Sequence, residues 1–507
     1  MSAPITLNPV ELPEIRALIA QYLSKYDLAQ CVRASQSWNA LFLPYIWDQV
    51  ILDQKTVERG FNLESLEPHS HLVKSISVTD TLKFGSLIAV CTNLKSLQLR
   101  MSFGLLKGFQ QTLKHQLEAV LTPNISIVCL DLDTVHVDWA VIAGLKNLRE
   151  LKLTNCETMI GSSPADFWNQ DDIKLEALSL TFVNIPGLWE QSTGKYPIFQ
   201  NIKALEIERM TKLPESIQVE IVRQCPNIET LRFRPNIQSS ITMIMVRLAA
   251  AGSWPKLRSL FYDGPKISDQ GVVDILTSMD QCDQWDVSYA DFTPLSFQAL
   301  NNHFSTLTRV NLAYCWSVTS KMLQEVLSSC PLLRKFRGPT IHARDIVEGD
   351  PWVCSSLQTF VAFIDFGSQD GTTGTSGGDG MELEHSDISA KAMLENSDTN
   401  EFQRLVYEQI SQLRRLKILL IGVEPSLTED VQNHRHGLEL KLGKGLELLS
   451  SLKELEIFGF NGTTQNMELE EVKWMITHWR RLGQIMGTYC HNGREKDFLE
   501  VFNISSS

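Results

Sequence analysis

The 507-residue chain predicts an α/β fold in which a short helical module precedes a solenoid of stacked strand–helix units. The strands should form one parallel sheet on the concave face of a horseshoe. Three observations carry this expectation. Fourteen short runs follow, or nearly follow, the pattern apolar-x-x-apolar-x-apolar. The stretches between them hold apolar residues at helical spacing. The first fifty or so residues show only helical periodicity.

The N-terminal module is read over 8–50. "PEIRALIAQYL" places Ile15, Leu18, Ile19, Tyr22 and Leu23 on one helix face, with Pro13 in the first turn. "DLAQCVRASQSWNALF" continues with Leu28, Cys31, Val32, Ser35, Trp38 and Leu41. Asp27 is the expected cap and Pro44 the expected break. Two or three helices of this size are too small to be stable alone.

A linker and first-repeat cap over 51–70 leads into repeats over 71–366. The runs begin at Val73, Leu94, Ile127, Leu148, Leu175, Ile202, Ile228, Leu257, Cys282, Leu307, Leu333, Leu357, Leu416 and Leu452. From Ile127 to Leu357 they recur every 21 to 29 residues. The last two apolar residues of each run lie two apart, so both face one side of a strand. One unit cannot bury that face, whereas stacked units bury it continuously. "LRKFRG", the eleventh run, lacks its final apolar residue. Helices are expected in "ISDQGVVDILTSM", with Asp269 as N-cap, and in "VTSKMLQEVLSSCP".

Two gaps break the period. The 59 residues from Leu357 to Leu416 include a Gly-, Ser- and acid-rich segment, 367–400, read as a disordered loop. The last repeats follow over 401–465, and a further 36 residues separate Leu416 from Leu452. Over 466–507, "MELEEVKWMITHWRRLGQIMG" reads as a capping helix, with Val472, Met475, Ile476 and Trp479 on one face and Leu482 continuing it, and then a tail.

The charge balance, 46 Lys plus Arg against 59 Asp plus Glu, argues against nucleic-acid binding, which needs clustered cations. No secretory signal is expected in "MSAPITLNPVELPE", and no apolar run is long enough for a membrane span. The ten cysteines include no Cys-x-x-Cys and mostly sit at apolar periodic positions. They read as reduced, giving a cytoplasmic and/or nuclear localisation. His69 with His71, and His434 with His436, lack the further ligands a metal needs, so no metal or cofactor is expected. No nucleophile, phosphate-loop or acid–base constellation is present, so the chain reads as no enzyme by itself.

"LTRVNLAYCWSVTSKMLQEVLSSCPLL", with Asn311 and Cys315, resembles a leucine-rich repeat of the type with cysteine at its turn. "LRELKLTNCETM", with Cys156, is similar. The N-terminal "LPEIRALIAQYLSKYDLAQCVRASQSWNALFLPYIW" resembles an F-box. Leu12-Pro13-Glu14, Leu23, Asp27-Leu28, Cys31-Val32, Trp38 and Trp47 stand where that family's pattern has them, while "SQS" replaces its usual Cys-Arg or Cys-Lys. The resemblance implies a substrate-recognition subunit of an SCF-type E3 ubiquitin ligase. It implies docking of a Skp-type adaptor, and through it a cullin, by Leu12, Pro13, Ile15, Leu28, Val32 and Trp38. The alternative is a non-ligase repeat scaffold for protein–protein interaction.

A protein substrate would meet the residues that flank the buried positions of each strand. These include Glu206 and Glu208, Arg232 and Arg234, Phe261, and Arg309 with Asn311. Later repeats give an apolar strip of Val361, Phe363, Ile418, Leu420 and Phe458, open to a substrate segment or covered by the tail.

Overall fold

The computed structural model describes residues 12–59, 61, 63–80, 85, 88–102, 110–159, 162, 164–168, 174–184, 198–235, 241–315, 317–366, 388–422, 437–465 and 467–489. It is mixed α/β and divides into two units, Met1–Asn236 and Ile237–Ser507.

In the first unit three helices lead: α1 Pro13–Tyr22, α2 Lys25–Ala34 and α3 Gln36–Trp47. Ser24, rather than Asp27, is the N-cap of α2. Its hydroxyl accepts from the Asp27 N–H at 3.1 Å, and the Asp27 carboxylate accepts from the Ser24 N–H at 3.2 Å. The expected single helix through Ser35 is two helices. Ser35 is extended (φ −165°, ψ 164°), and its hydroxyl accepts from the Trp38 N–H at 3.2 Å. Pro44 does not break α3, which continues through it for three residues to Trp47. A proline removes one i→i−4 bond, and here only three residues of helix follow it.

The strands of this unit are β1 Gln49–Leu52, β2 Ser75–Thr79, β3 Ser96–Arg100, β4 Cys129–Asp133, β5 His136–Val137, β6 Glu150–Thr154, β7 Glu157–Thr158, β8 Ala177–Thr181, β9 Ala204–Glu208 and β10 Thr230–Arg234. β5 and β7 pair separately. The others stand side by side in chain order, all parallel. The register aligns Val50, Ile76, Leu97, Leu130, Leu151, Leu178, Leu205 and Leu231 in one row. A second row runs from Leu52 through Val78, Leu99, Leu132, Leu153, Leu180 and Ile207 to Phe233, and both rows are buried. Each such side chain contributes about 1.5–3 kcal/mol on leaving water. β1 was not among the fourteen runs, although "WDQVIL" carries the same pattern, with its strand lying across the 50/51 boundary.

Five strands of this unit are each followed by a residue in left-handed backbone. Asp80, Thr134, Asn155, Phe182 and Arg209 all have φ between 50° and 60°. Their N–H groups donate to Arg100, Thr154, Thr181, Glu208 and Arg234 at 2.8–3.0 Å, each at the end of the next strand. This backbone recurs at five strand ends, whereas Met101, after β3, donates to Asp133 at the end of β4 at 3.1 Å without it. Asp and Asn tolerate it, whereas other side chains pay about 1–2 kcal/mol.

In the second unit the strands are β11 Ser259–Tyr262, β12 Gln284–Val287, β13 Arg309–Asn311, β14 Lys335–His342, β15 Thr359–Asp365, β16 Ile418–Leu420, β17 Ile457–Gln465 and β18 Gln484–Tyr489, again parallel and in chain order. Their inner row is bulkier: Leu260, Trp285, Val310, Phe336, Phe360, Leu419, Phe458 and Ile485 lie in register. Phe360 stacks on Phe336 and on Trp352, each at 5.5 Å. The deviant "LRKFRG" has a steric reason. A Cβ on Gly338 would lie 3.0 Å from Leu323 and 3.1 Å from Phe336, so a larger residue would crowd those side chains.

Four expectations change here. Ser268, not Asp269, caps the helix Asp269–Ser278, its hydroxyl accepting from the Gly271 N–H at 3.3 Å. A helix, Ile388–Ser411, begins inside the segment 367–400 expected to be disordered and runs beyond it; residues 367–387 lie outside the described residues. The C-terminal helix spans Leu469–His478 and stops there. Leu482 is not on it but opens "LGQIMG", which supplies β18. The run read as "LKELEI" is displaced by three residues: Leu455, Phe458 and Phe460 are buried, and Ile457 stands opposite Ile418. "LEIFGF" is the true frame.

Candidate functional site

Two surfaces qualify: the N-terminal helices and the outward face of the strands. The three helices share a small core of Ala20, Leu28 and Phe42, against which Ile19, Leu23, Cys31, Val32, Leu41, Tyr45 and Ile46 pack. The Lys25 ammonium reaches across to the last turn of α3, donating to the Tyr45 and Ile46 carbonyls at 2.8 and 2.9 Å. That pairing satisfies carbonyls with no helical partner and sets a cation at the negative helix end. Desolvation pushes the Lys25 pKa down, against the opposing pull of Asp48.

The residues nominated for adaptor contact divide. Leu28 is 3% exposed and belongs to the module's own core, so it does not face outward. Val32 and Ile15 are half-buried, and Val32 packs on that core. Leu12, Pro13 and Trp38 are exposed, Trp38 by 42% even though its ring lies 5.4 Å from Phe42. Three exposed residues were missed: Leu18, Tyr22 at 87% and Tyr26 at 72%. Leu18 and Tyr22 sit on the apolar stripe of α1, and a stripe by itself does not say which members turn inward. Their i, i+4 spacing was the only signal.

On the strands of the first unit the outward residues are polar and bonded across repeats. Ser77 donates to Gln98 at 2.8 Å, and Gln98 to Asp131 at 2.7 Å. Ser179 donates to Glu206 at 2.8 Å, Arg232 pairs with Glu206 at 3.1 Å and Arg234 with Glu208 at 3.5 Å. The Glu and Arg residues expected to meet a substrate are therefore largely matched within the sheet itself. Exposed pairs of this kind add about 0–1 kcal/mol each and leave little net field.

In the second unit the late apolar strip is not an open groove. Phe458 is fully buried, since the repeat frame turns it inward. Phe363 is 2% exposed, and Val361, between Arg337 and Leu420 in register, is also buried. Ile418 and Leu420 are half-buried. Leu420 lies against the backbone of Gly459, where a Cβ would come within 2.4 Å of it. Phe261 is buried too, with the Arg309 guanidinium 5.1 Å from its ring centre. Arg309 also pairs with Asp286, which accepts from the Asn311 amide at 2.6 Å.

His69 stacks on Trp47 at 4.7 Å, a packing role; His434 and His436 lie outside the described residues. Among the described residues no group of three or more His, Cys, Asp or Glu is placed to hold a metal ion, and no helix is long and apolar enough to cross a membrane. No family model matches the chain, and no curated protein matches it either.

Proposed function

We propose that this protein is the substrate-recognition subunit of an SCF-type ubiquitin ligase, a non-catalytic receptor acting in the cytoplasm or nucleus. Its N-terminal helices would dock a Skp-type adaptor, and its repeats would hold a protein substrate for ubiquitination and degradation. One observation supports this beyond the F-box resemblance. A small helical module with its own core leaves Leu12, Leu18, Tyr22, Tyr26 and Trp38 exposed. Five large apolar side chains exposed on so small a module favour burial by a partner. A repeat scaffold without an adaptor gives no reason for them.

Co-purification with a Skp-type adaptor tests the reading, and the choice of variant matters. Leu28→Asp would break the module's core and report only unfolding. Tyr22→Asp combined with Trp38→Ala alters exposed residues and should keep the fold. Wild type should retain the adaptor, and the double variant should lose about ten-fold or more in affinity. A wild-type chain that fails to capture the adaptor sinks the proposal.

A further inference from the structure

We infer that Arg209 and Phe182, at the strand exits of the first unit, form a recognition point for a carboxylate side chain of a partner protein's acidic segment. Both residues occupy left-handed backbone, φ 50° and 52°. The conformation recurs at these strand exits without calling for these residue types, since Asp80 and Asn155 adopt it with tolerant side chains. Phe182 is 44% exposed, and Arg209 is exposed. The Arg209 guanidinium lies 5.6 Å from the Phe182 ring centre. An arginine laid on an aromatic face keeps its N–H fork directed outward, and that fork matches a carboxylate in a bidentate pair. A strained backbone carrying two costly, exposed and mutually stacked side chains is better explained by binding than by folding.

The charge of the neighbourhood selects the anion. The Arg209 N–H donates to the Arg234 carbonyl at 2.8 Å, which brings that residue's backbone alongside, yet the Arg234 guanidinium is engaged by Glu208 at 3.5 Å. Among the described residues Arg209 has no ion-pair partner, and one such cation suits a single negative charge. A phosphate group carries about −1.5 to −2 and is usually met by several cations. The uncovered part of the Phe182 ring would support an apolar residue beside the acid.

This inference rests on the repeat-surface half of the proposed function and not on adaptor docking. It is tested with the full chain and a fluorescent peptide alternating Glu and Leu, read by anisotropy. Matched peptides carry Gln or phosphoserine in place of Glu. The Glu peptide should bind, and both Arg209→Met and Phe182→Asn should weaken it about ten-fold. Phe182→Asn should at the same time raise the melting temperature, because Asn accepts the left-handed backbone, so lost binding cannot be ascribed to lost fold. Equal binding of the Gln peptide, tighter binding of the phosphoserine peptide, or binding indifferent to both substitutions would overturn the assignment. Adaptor capture measured on the same preparations separates this failure from failure of the receptor reading.

Discussion

Asn124 is fully buried, and its side chain makes three hydrogen bonds to backbone. Its amide donates to the Cys91 and Val120 carbonyls at 2.8 and 2.7 Å, and its carbonyl accepts from the Leu94 N–H at 3.1 Å. It thereby ties the end of one helix to the entry of the preceding strand. Asn124→Ala would orphan three buried polar groups, so a loss of about 2–4 kcal/mol is expected, read as a fall in the urea midpoint. An unchanged midpoint would show that the clamp contributes nothing. At this scale the sequence was least informative. Periodicity placed Leu28 and Tyr22 on apolar stripes alike, but only three-dimensional packing shows that Leu28 fills the module core and Tyr22 faces out. The caps were misplaced for a related reason. Asp27 and Asp269 are good capping residues by type, yet a serine nearby does the capping in both helices.

Freed from capping, Asp269 acts between elements. Its carboxylate accepts from the Thr293 N–H at 3.0 Å and hydroxyl at 2.7 Å, and from the Ser296 hydroxyl, at the start of the helix Pro294–Asn301. Burial pushes its pKa up, but those bonds outweigh it and hold the carboxyl below its usual value. With the folded pKa below the unfolded one, the stabilisation is present above the unfolded pKa of about 3.9 and is lost as pH falls through the folded value. Asp269→Asn should therefore melt lower than wild type at neutral pH, with the gap closing under acid; a gap that is constant across pH would refute the clamp. Elements were far more legible than single contacts. Two apolar residues two apart recur because each strand must turn one face to the same core, and that need is written in every repeat. Errors arose where the pattern was satisfied twice, as in "LKELEIFGF", which admits two frames. There the choice falls to Gly459, where a larger residue would collide with Leu420. β1 and β18 were passed over because they border segments already read as helix or linker.

Across the whole chain, the thiols offer a reporter of how each unit opens. Cys91, Cys156 and Cys225 are buried in the first unit, and Cys282, Cys315, Cys330 and Cys354 in the second. Burial pushes the Cys91 and Cys315 thiols up to about 11 and those of Cys156, Cys330 and Cys354 up to about 12; Cys225 and Cys282 are raised further. Thiolate is the reactive form, so these groups should resist a disulfide reagent in the native protein at about pH 8, while half-buried Cys31 reacts. A stacked array conveys stability through neighbouring repeats, so the buried thiols of one unit should become reactive over the same denaturant range in which that unit loses its helix signal. A thiol ionises near 8.5 once unfolded but higher when folded, so the unfolded state loses protons first as pH rises. The stabilisation is complete below about 8.5 and is lost as pH rises through the folded values, so the melting temperature should fall above that point. Labelling in a Cys490→Ser background, followed residue by residue by mass spectrometry, tests both statements. A buried thiol that reacts natively as fast as Cys31 would mean that its repeat opens alone, and that stacking does not hold the array together at that point.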